Sequence, residues 1–376
     1  MAAPLLEGAK NDQGGSALRF APPRWDDWLE DRCQGQMVMG SVVLHAPSAA
    51  FQEPGGGECQ LVQTARRLEE RGLIVRPFVP WTDRLEEARL LHLFGMSREG
   101  LALARVARAR RLPIVLSPIF WVERRAVFAL AGGPLRGCLD WARWQARRRR
   151  LPDWRRELVS LADRILPNSL AEGRQLVRYC GADPERLRVV PNGVDERFAA
   201  VASSGPRDRV LYVGRIEPRK NVLGLVRALR PMRVPLEVIG GVVPGHESYA
   251  RACRAAGEGF VTWLDRVPHD HPALEDAYAR ARVLALPSWF ETPGLVALEA
   301  ALAGCAVVLT PFGSTRETFG DLVQYARPDR PDEVRRAVAI AWDKGPPPDL
   351  SSLVRRRFLW SRVAQQTAEV YDEIAG

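Results

Sequence analysis

Between residues 37 and 198, short runs of β-branched and apolar residues alternate with longer stretches whose apolar positions recur every three or four residues. The first run, Met37 to His45 (MVMGSVVLH), reads as a buried strand, and a loop carries it to Pro54 and the glycines Gly55, Gly56 and Gly57. Leu61, Val62, Ala65 and Leu68 then fall at helical spacing, and Arg71-Gly72 ends that helix before a strand over Leu73 to Val79. The alternation continues with a strand at Leu90 to Phe94, a helix from Ser97 to Arg110, and strands at Pro113 to Ser117, Leu161 to Leu166 and Val189-Val190. A second round predicts strands at Arg209 to Val213, Leu236 to Ile239, Val261 to Leu264, Val283 to Leu286 and Ala306 to Thr310. Between and after them come helices at Asn221 to Leu229, Ser248 to Ala256, Leu274 to Ala279, Gly294 to Ala303, Pro331 to Trp342 and Trp360 to Ile374. Apolar strands separated by amphipathic helices predict parallel sheets covered on both faces.

The segment 199–209 (AAVASSGPRDR) is small, polar and turn-forming, which makes it the linker. It divides a first α/β domain over 36–198 from a second over 210–356, with 1–35 as a tail or cap. A length of 376 residues agrees with two domains, and two domains imply a cleft. With 46% hydrophobic and 26% charged residues the chain is a folded one, and no apolar run approaches the ~20 residues that a membrane span needs. The first 35 residues lack the basic, apolar and small-residue regions of a secretory signal, so the expected location is cytoplasmic. The six scattered cysteines form no C-x-x-C pair and no zinc-ligand spacing. A net charge of +9 favours an anionic partner.

Two constellations carry chemistry. In Trp289 to Glu299 (WFETPGLVALE), Pro293 and Gly294 sit where a buried strand turns into a helix. The amides of that first turn, near Gly294, Leu295 and Val296, lie over the carboxyl ends of the strands and suit an anion. Glu291 and Glu299 bracket that position, and carboxylates accept hydrogen bonds from vicinal hydroxyls. The second constellation is Val213 to Asn221 (VGRIEPRKN). Gly214 allows close backbone approach, and Arg215 with Lys220 can set two positive charges over a diphosphate, Arg219 being the more solvent-exposed member. A weaker element is the Gly55-Gly56-Gly57 turn, whose amides could close on a phosphate. It has neither the G-x-G-x-x-G spacing of dinucleotide folds nor the G-K-[ST] ending of a P-loop.

GRIEPRKN, the Glu291 to Glu299 segment, Val189 to Asp195 (VVPNGVD) and the ending FLWSRVAQQTAEVYDEI together resemble the family-4 retaining glycosyltransferases. The match is strong from Pro167 onward and rests in the first half on pattern and the Gly55 to Gly57 turn. The resemblance implies the GT-B fold, two Rossmann-like domains with residues 357–376 packing back on the first, acceptor domain. It implies that Arg215 and Lys220 bind the donor diphosphate, Glu299 the ribose hydroxyls and Glu291 the donor sugar. The amides near Gly294 and Leu295 would meet the phosphate, Val267 would lie near the base, and Glu317 would be structural. The implied reaction retains anomeric configuration and needs no metal or other cofactor. Its partners are a UDP-, GDP- or ADP-linked sugar and a saccharide or lipid-linked acceptor. Relatives often carry a histidine after the fourth strand, where this chain has Ser117 to Trp121 (SPIFW), and His45 reads as a packed residue. A nucleotide-sugar epimerase and a non-catalytic sugar-nucleotide-binding scaffold remain as alternatives.

Between Trp121 and Glu157, arginines (Arg124, Arg125, Arg136, Arg143, Arg147 to Arg150, Arg155, Arg156) interleave with Trp141, Trp144 and Trp154. This stretch reads either as an anionic-membrane or lipid-acceptor surface on Trp141 to Arg156, peripheral at the inner face, or as a solvated charged helix. No nucleic-acid reading module accompanies it.

Overall fold

The structure is a computed structural model and describes residues 39–52, 55–150, 153–201, 205–292 and 294–375, with no side-chain description of Pro134 and Arg147–Arg150. The expected tail over 1–35 and Met37, Val38, Pro54 and Pro293 lie outside the described residues. Two compact units divide the chain between Asp195 and Glu196, and the first also takes Thr292–Leu295 and the chain from Arg355 onward.

In chain order the first unit contains β1 (Ser41–His45), α1 (Gly56–Glu69), β2 (Val75–Pro77), β3 (Ala88–Phe94), α2 (Arg98–Ala109), β4 (Ile114–Ser117), α3 (Arg124–Leu130), α4 (Pro134–Arg150), α5 (Trp154–Leu161), β5 (Arg164–Ile165) and α6 (Leu170–Gln175). The second brings β6 (Arg209–Val213), α7 (Val222–Leu229), β7 (Leu236–Ile239), α8 (Glu247–Ala256), β8 (Val261–Leu264), α9 (Pro272–Arg280) and β9 (Ala281–Leu286). The chain goes on through α10 (Leu295–Leu302), β10 (Ala306–Leu309), α11 (Thr315–Phe319), β11 (Gln324–Tyr325), α12 (Pro331–Lys344) and α13 (Pro348–Arg357), and ends on α14 (Trp360–Ala375), which belongs to the first unit.

Both sheets are parallel, in the orders β2-β1-β3-β4-β5 and β11-β10-β9-β6-β7-β8. Because successive side chains in a strand point to opposite faces, β1 divides between two cores. Val42 and Leu44 pack with Leu61, Val62, Ala65 and Leu68 of α1 and with Trp360 and Tyr371 of α14. Val43 packs with Leu91, Leu93, Leu101, Ala104 and Ile114 on the other face. The last helix is therefore part of the first unit's core, as the family resemblance implies. Local signals set the helix starts: Glu58 Oε2 accepts from Gly55 N at 2.7 Å before α1, and Ser97 Oγ accepts from Gly100 N at 2.8 Å before α2.

Two expected strands differ. Leu161 is the last residue of α5, which Asp153 caps, so β5 is confined to Arg164–Ile165. Val189-Val190 is not a strand. The segment makes one bridge, Ile165 to Leu187, and bonds from Arg188 N to Ile165 O (2.9 Å) and from Val190 N to Pro167 O (3.1 Å), and Pro191, having no amide, cannot extend the ladder. The two units divide before Glu196, 196–200 is a short 3-10 turn, and β6 begins at Arg209.

The VVPNGVD motif has a packing role. Val194 N donates to Phe358 O at 2.7 Å and Trp360 N to Val194 O at 3.2 Å, which ties the motif to the start of α14. Gly193 makes this possible, because a Cβ there would lie 2.4 Å from Trp360 Cδ2. The Trp360 indole is buried and has no room to retreat. Gly193→Ala is expected to destabilise the first unit by about 1–3 kcal/mol, read as a lower denaturation midpoint.

Candidate active site

The second unit draws two loops together at the carboxyl ends of β6 and β9. Gly214, in the left-handed half of backbone space (φ +150), turns the chain out of β6, and its amide donates to Ile239 O at 2.9 Å. The Gly240 backbone presses on it so closely that a Cβ on Gly240 would lie 1.9 Å from Gly214 O. A 3-10 turn, Pro218–Lys220, follows and ends on Asn221 in the left-handed region (φ 54). The Asn221 side-chain amide donates to Pro287 O (3.1 Å) and Pro328 O (2.9 Å), while Trp289 N donates to Arg219 O at 2.9 Å. These bonds hold the 218–221 turn against the chain leaving β9 and against Pro328, beyond β11.

The result is a buried ion pair. Lys220 Nζ donates to Glu291 Oε1 at 2.7 Å, and Ser288 Oγ donates to the same oxygen at 2.6 Å. The Glu291 backbone is pinned as well: its amide donates to Phe312 O (3.1 Å), and its carbonyl accepts from Ser314 N (3.0 Å). Gly313 (φ +104) sits so close that a Cβ would lie 1.9 Å from Glu291 O, so glycine is required there. Burial opposes both charges. On Glu291 the Lys220 and Arg219 charges and the bonds from Lys220 and Ser288 outweigh burial and hold the carboxyl below its usual range. On Lys220 burial prevails over the attraction of Glu291, and its pKa falls below the ordinary lysine value.

Arg215 and Arg219 exchange their expected places. The Arg215 side chain is 50% exposed, with Glu217 Oε1 3.6 Å away, whereas that of Arg219 is 23% exposed. Arg219 is drawn in because it bonds Glu217 Oε1 at 2.9 Å and lies over the Phe290 ring. Arg215 is thus the accessible cation, and Lys220 is engaged by Glu291.

Glu299, in the second turn of α10, is buried with both oxygens occupied: Tyr278 OH donates to Oε2 at 2.6 Å, and His269 Nε2 lies 2.9 Å from Oε1. His269 follows Val267, itself nearly buried, in the loop after β8. Arg197 donates to the carbonyl of His269, and Phe198 packs edge-on against both His269 and Tyr278. Sequence reasoning missed His269; the available signal was a histidine two residues beyond Val267, past the carboxyl end of a parallel strand. Gly294 (φ +81) precedes α10, and Leu295 and Val296 begin it. Glu317 lies in α11.

In the first unit, Gly56 and Gly57 open α1. His92, which sequence reasoning also passed over, is buried in β3 with Nδ1 2.6 Å from Tyr371 OH and Nε2 2.9 Å from Ser117 Oγ. Burial pushes it down to about 3, so it is neutral and its role is to join β3, β4 and α14. His45 is half-buried, packed edge-on to Phe78, and lowered by burial, as its reading as a packed residue expects. Among the described residues no group of three or more His, Cys, Asp or Glu could hold a metal ion, and no helix is long and apolar enough to cross a membrane.

Two family profiles match the chain: "Glycosyltransferase Family 4" over residues 54–198 and "Glycosyl transferases group 1" over 207–343. Similar curated proteins include the D-inositol 3-phosphate glycosyltransferases of Geodermatophilus obscurus, 33% identical over 58% of this chain, and of Kribbella flavida, 32% identical over 57%. The matches cover 54% and 57% of those relatives, so the chain spans little more than half their length. Among solved structures, the sucrose-phosphate synthase of Thermosynechococcus elongatus superposes with a TM-score of 0.66 at 18% identity, covering 89% of this chain and 99% of the other. Anabaena Alr3699/HepE in complex with UDP-glucose superposes at 0.65 and 17%, covering 88% and 99%. These likenesses establish the GT-B fold.

Glu291→Gln leaves the Lys220 ammonium buried without its counter-charge and is expected to cost about 3 kcal/mol. The double change Lys220→Met with Glu291→Gln should be milder than Glu291→Gln alone, as denaturation midpoints will show. Because the folded Glu291 carboxyl lies below its unfolded value, its contribution is present above the ordinary carboxylate range and is lost as pH falls through the depressed value. The stability gap between wild type and Glu291→Gln should therefore shrink on acidification.

Proposed function

We propose that this chain, which belongs to glycosyltransferase family 4, moves a sugar from a nucleotide-sugar donor to a saccharide or lipid-linked acceptor with retention of anomeric configuration. The observation that carries the reading is the Lys220–Glu291 pair beside the exposed Arg215 at the carboxyl ends of β6 and β9. Arg215 takes the donor diphosphate. Lys220 supplies the second positive charge, and Glu291, held by Lys220 and Ser288, presents its remaining acceptor capacity to a sugar hydroxyl. Glu299 receives the ribose hydroxyls, displacing the His269 contact, and Val267 borders the base. The first-turn amides at Gly294, Leu295 and Val296 meet the phosphate. As the anomeric carbon to phosphate oxygen bond breaks, the acceptor oxygen bonds that carbon on the same face, and its proton passes to the leaving phosphate. Two cations and a helix end stabilise that leaving group without calling on a metal. HepE was solved with UDP-glucose, and the curated relatives bear the name of D-inositol 3-phosphate, so both molecules head the substrates to be tried.

A lipid-linked acceptor, with peripheral residence at the inner face of a membrane, has support in the first unit. Leu135 (80% exposed) and Leu139 on α4 accompany Arg136, Arg143 and the stacked Trp141–Trp144 pair. The role in bacterial polysaccharide synthesis rests on that acceptor chemistry.

Thermal shifts with UDP-, GDP- and ADP-sugars should single out one donor. Arg215→Ala should weaken that donor's binding roughly tenfold, the loss of one charge-assisted contact, with an unchanged melting temperature because the side chain is exposed. Equal donor affinity in the variant would sink the diphosphate role. Formation of an epimeric nucleotide sugar without acceptor would identify an epimerase instead, and binding with no turnover a scaffold.

A further inference from the structure

The loop that leaves β4 is held in a conformation its own sequence disfavours. Ile119 sits in the left-handed region (φ 49), which residues branched at Cβ adopt only when their surroundings impose it. Two side chains of α6 impose it. Glu172, itself buried, accepts from Phe120 N at 2.6 Å with one oxygen and from Asn168 N at 2.7 Å with the other. Gln175 accepts from Val122 N at 2.8 Å and donates to Val122 O at 3.1 Å. Burial pushes the Glu172 carboxyl up to about 7 against the two amide bonds that lower it, so the clamp works against the ordinary preference of an acid for water.

The constraint serves to turn one side chain outward. Ile119 is 42% exposed, and its Cδ1 would lie 3.1 Å from a Cβ placed on Gly57 at the start of α1. In a sheet of order β2-β1-β3-β4-β5 the strand order reverses between β1 and β3, and ligands bind outside the carboxyl ends of the strands at such a reversal. Ile119, beyond β4, meets the first turn of the helix that follows β1, which places it at that mouth. Ser117, the last residue of β4, is already engaged by His92, so the outward group of this loop is the isoleucine.

Resting on the transferase reading, we infer that Glu172 and Gln175 are positioning residues that hold Ile119 as an acceptor-selecting side chain. Ile119 offers an apolar wall to the C–H face of a saccharide ring where a hydrogen-bonding group would select a polar edge.

The full chain tests this through Ile119→Gly, Ile119→Asn, Glu172→Gln and Gln175→Ala. Readouts are UDP binding, steady-state transfer from UDP-, GDP- and ADP-sugars to methyl α-glucoside, glucose 6-phosphate and D-inositol 3-phosphate, melting temperature, and amide exchange at Phe120 and Val122. Ile119→Gly should keep or raise the melting temperature, since glycine takes a positive φ freely, and should leave UDP affinity within twofold. Its kcat/KM for the best acceptor should fall at least tenfold, and Ile119→Asn should change the ranking of the acceptors. Glu172→Gln should speed exchange at Phe120 at least tenfold and raise the acceptor KM more than the donor KM, with Gln175→Ala acting likewise at Val122. Wild-type transfer by Ile119→Gly, or unaltered exchange at Phe120 in a folded Glu172→Gln, would overturn the inference. Should Glu172→Gln not fold, exchange at Val122 in Gln175→Ala decides the clamp. Consumption of no nucleotide sugar by the wild type would instead count against the transferase reading, and the exchange measurements would still decide the clamp.

Discussion

A lysine and a glutamate buried together have to be held within hydrogen-bond distance, because each is costly in a low-dielectric setting without the other. Much of the second unit around Lys220 and Glu291 follows from that requirement. The left-handed Asn221 and its two carbonyl acceptors, the bond from Trp289 to the carbonyl of Arg219, and the closure of 312–314 on the Glu291 backbone all fix one partner relative to the other. Gly240 and Gly313 mark where two backbones approach too closely for any side chain. Charge and geometry are thereby settled before a ligand arrives, which is the condition for an electrostatic site to act without reorganising.

The strand boundaries of the second unit were legible because a strand buried on both faces is apolar throughout and ends abruptly at glycine, proline or charge. β6, with Val210, Leu211 and Tyr212 buried, falls at the predicted residues, and β10, buried throughout, ends one residue before the predicted Thr310. Arg215, Lys220 and Glu291 were visible for a related reason, since each lies in the loop that leaves β6 or β9 at its carboxyl end, and Glu299 sits in the helix that follows β9. What stayed hidden depends on partners distant in sequence. Nothing near Glu172 reveals that its carboxyl reaches Phe120, 52 residues earlier, or that His269 meets Glu299, 30 residues later. The relative exposure of Arg215 and Arg219 was misjudged for the same reason, as it turns on Glu217 and the Phe290 ring. Val189-Val190 looked like a strand because two β-branched residues carry the composition of one, yet the ladder stops at Pro191.

The first unit illustrates how one motif can serve packing while resembling a functional signature. The glycine of VVPNGVD is explained by the indole it admits, and the neutral His92 by the three elements it joins. Neither needs a substrate to account for it. The clamp on Ile119 is different, because there the protein holds a backbone in a disfavoured state to expose a side chain.

The position of α14 in the first unit's core also sets an order of events during synthesis. The buried residues of α14, Trp360, Val363, Ala364, Ala368, Val370 and Tyr371, complete an apolar layer whose other buried members precede Asp195. A nascent chain that has emerged through residue 195 therefore carries an apolar layer with no cover, and the ribosome adds about 180 further residues before residue 375 leaves it, on the order of ten seconds or more at typical rates of elongation. The second unit has all its strands before then, so it can fold while the first waits. In the cell, the earlier half of this polypeptide is the later half to mature, and it is the half that needs shielding from association in the meantime.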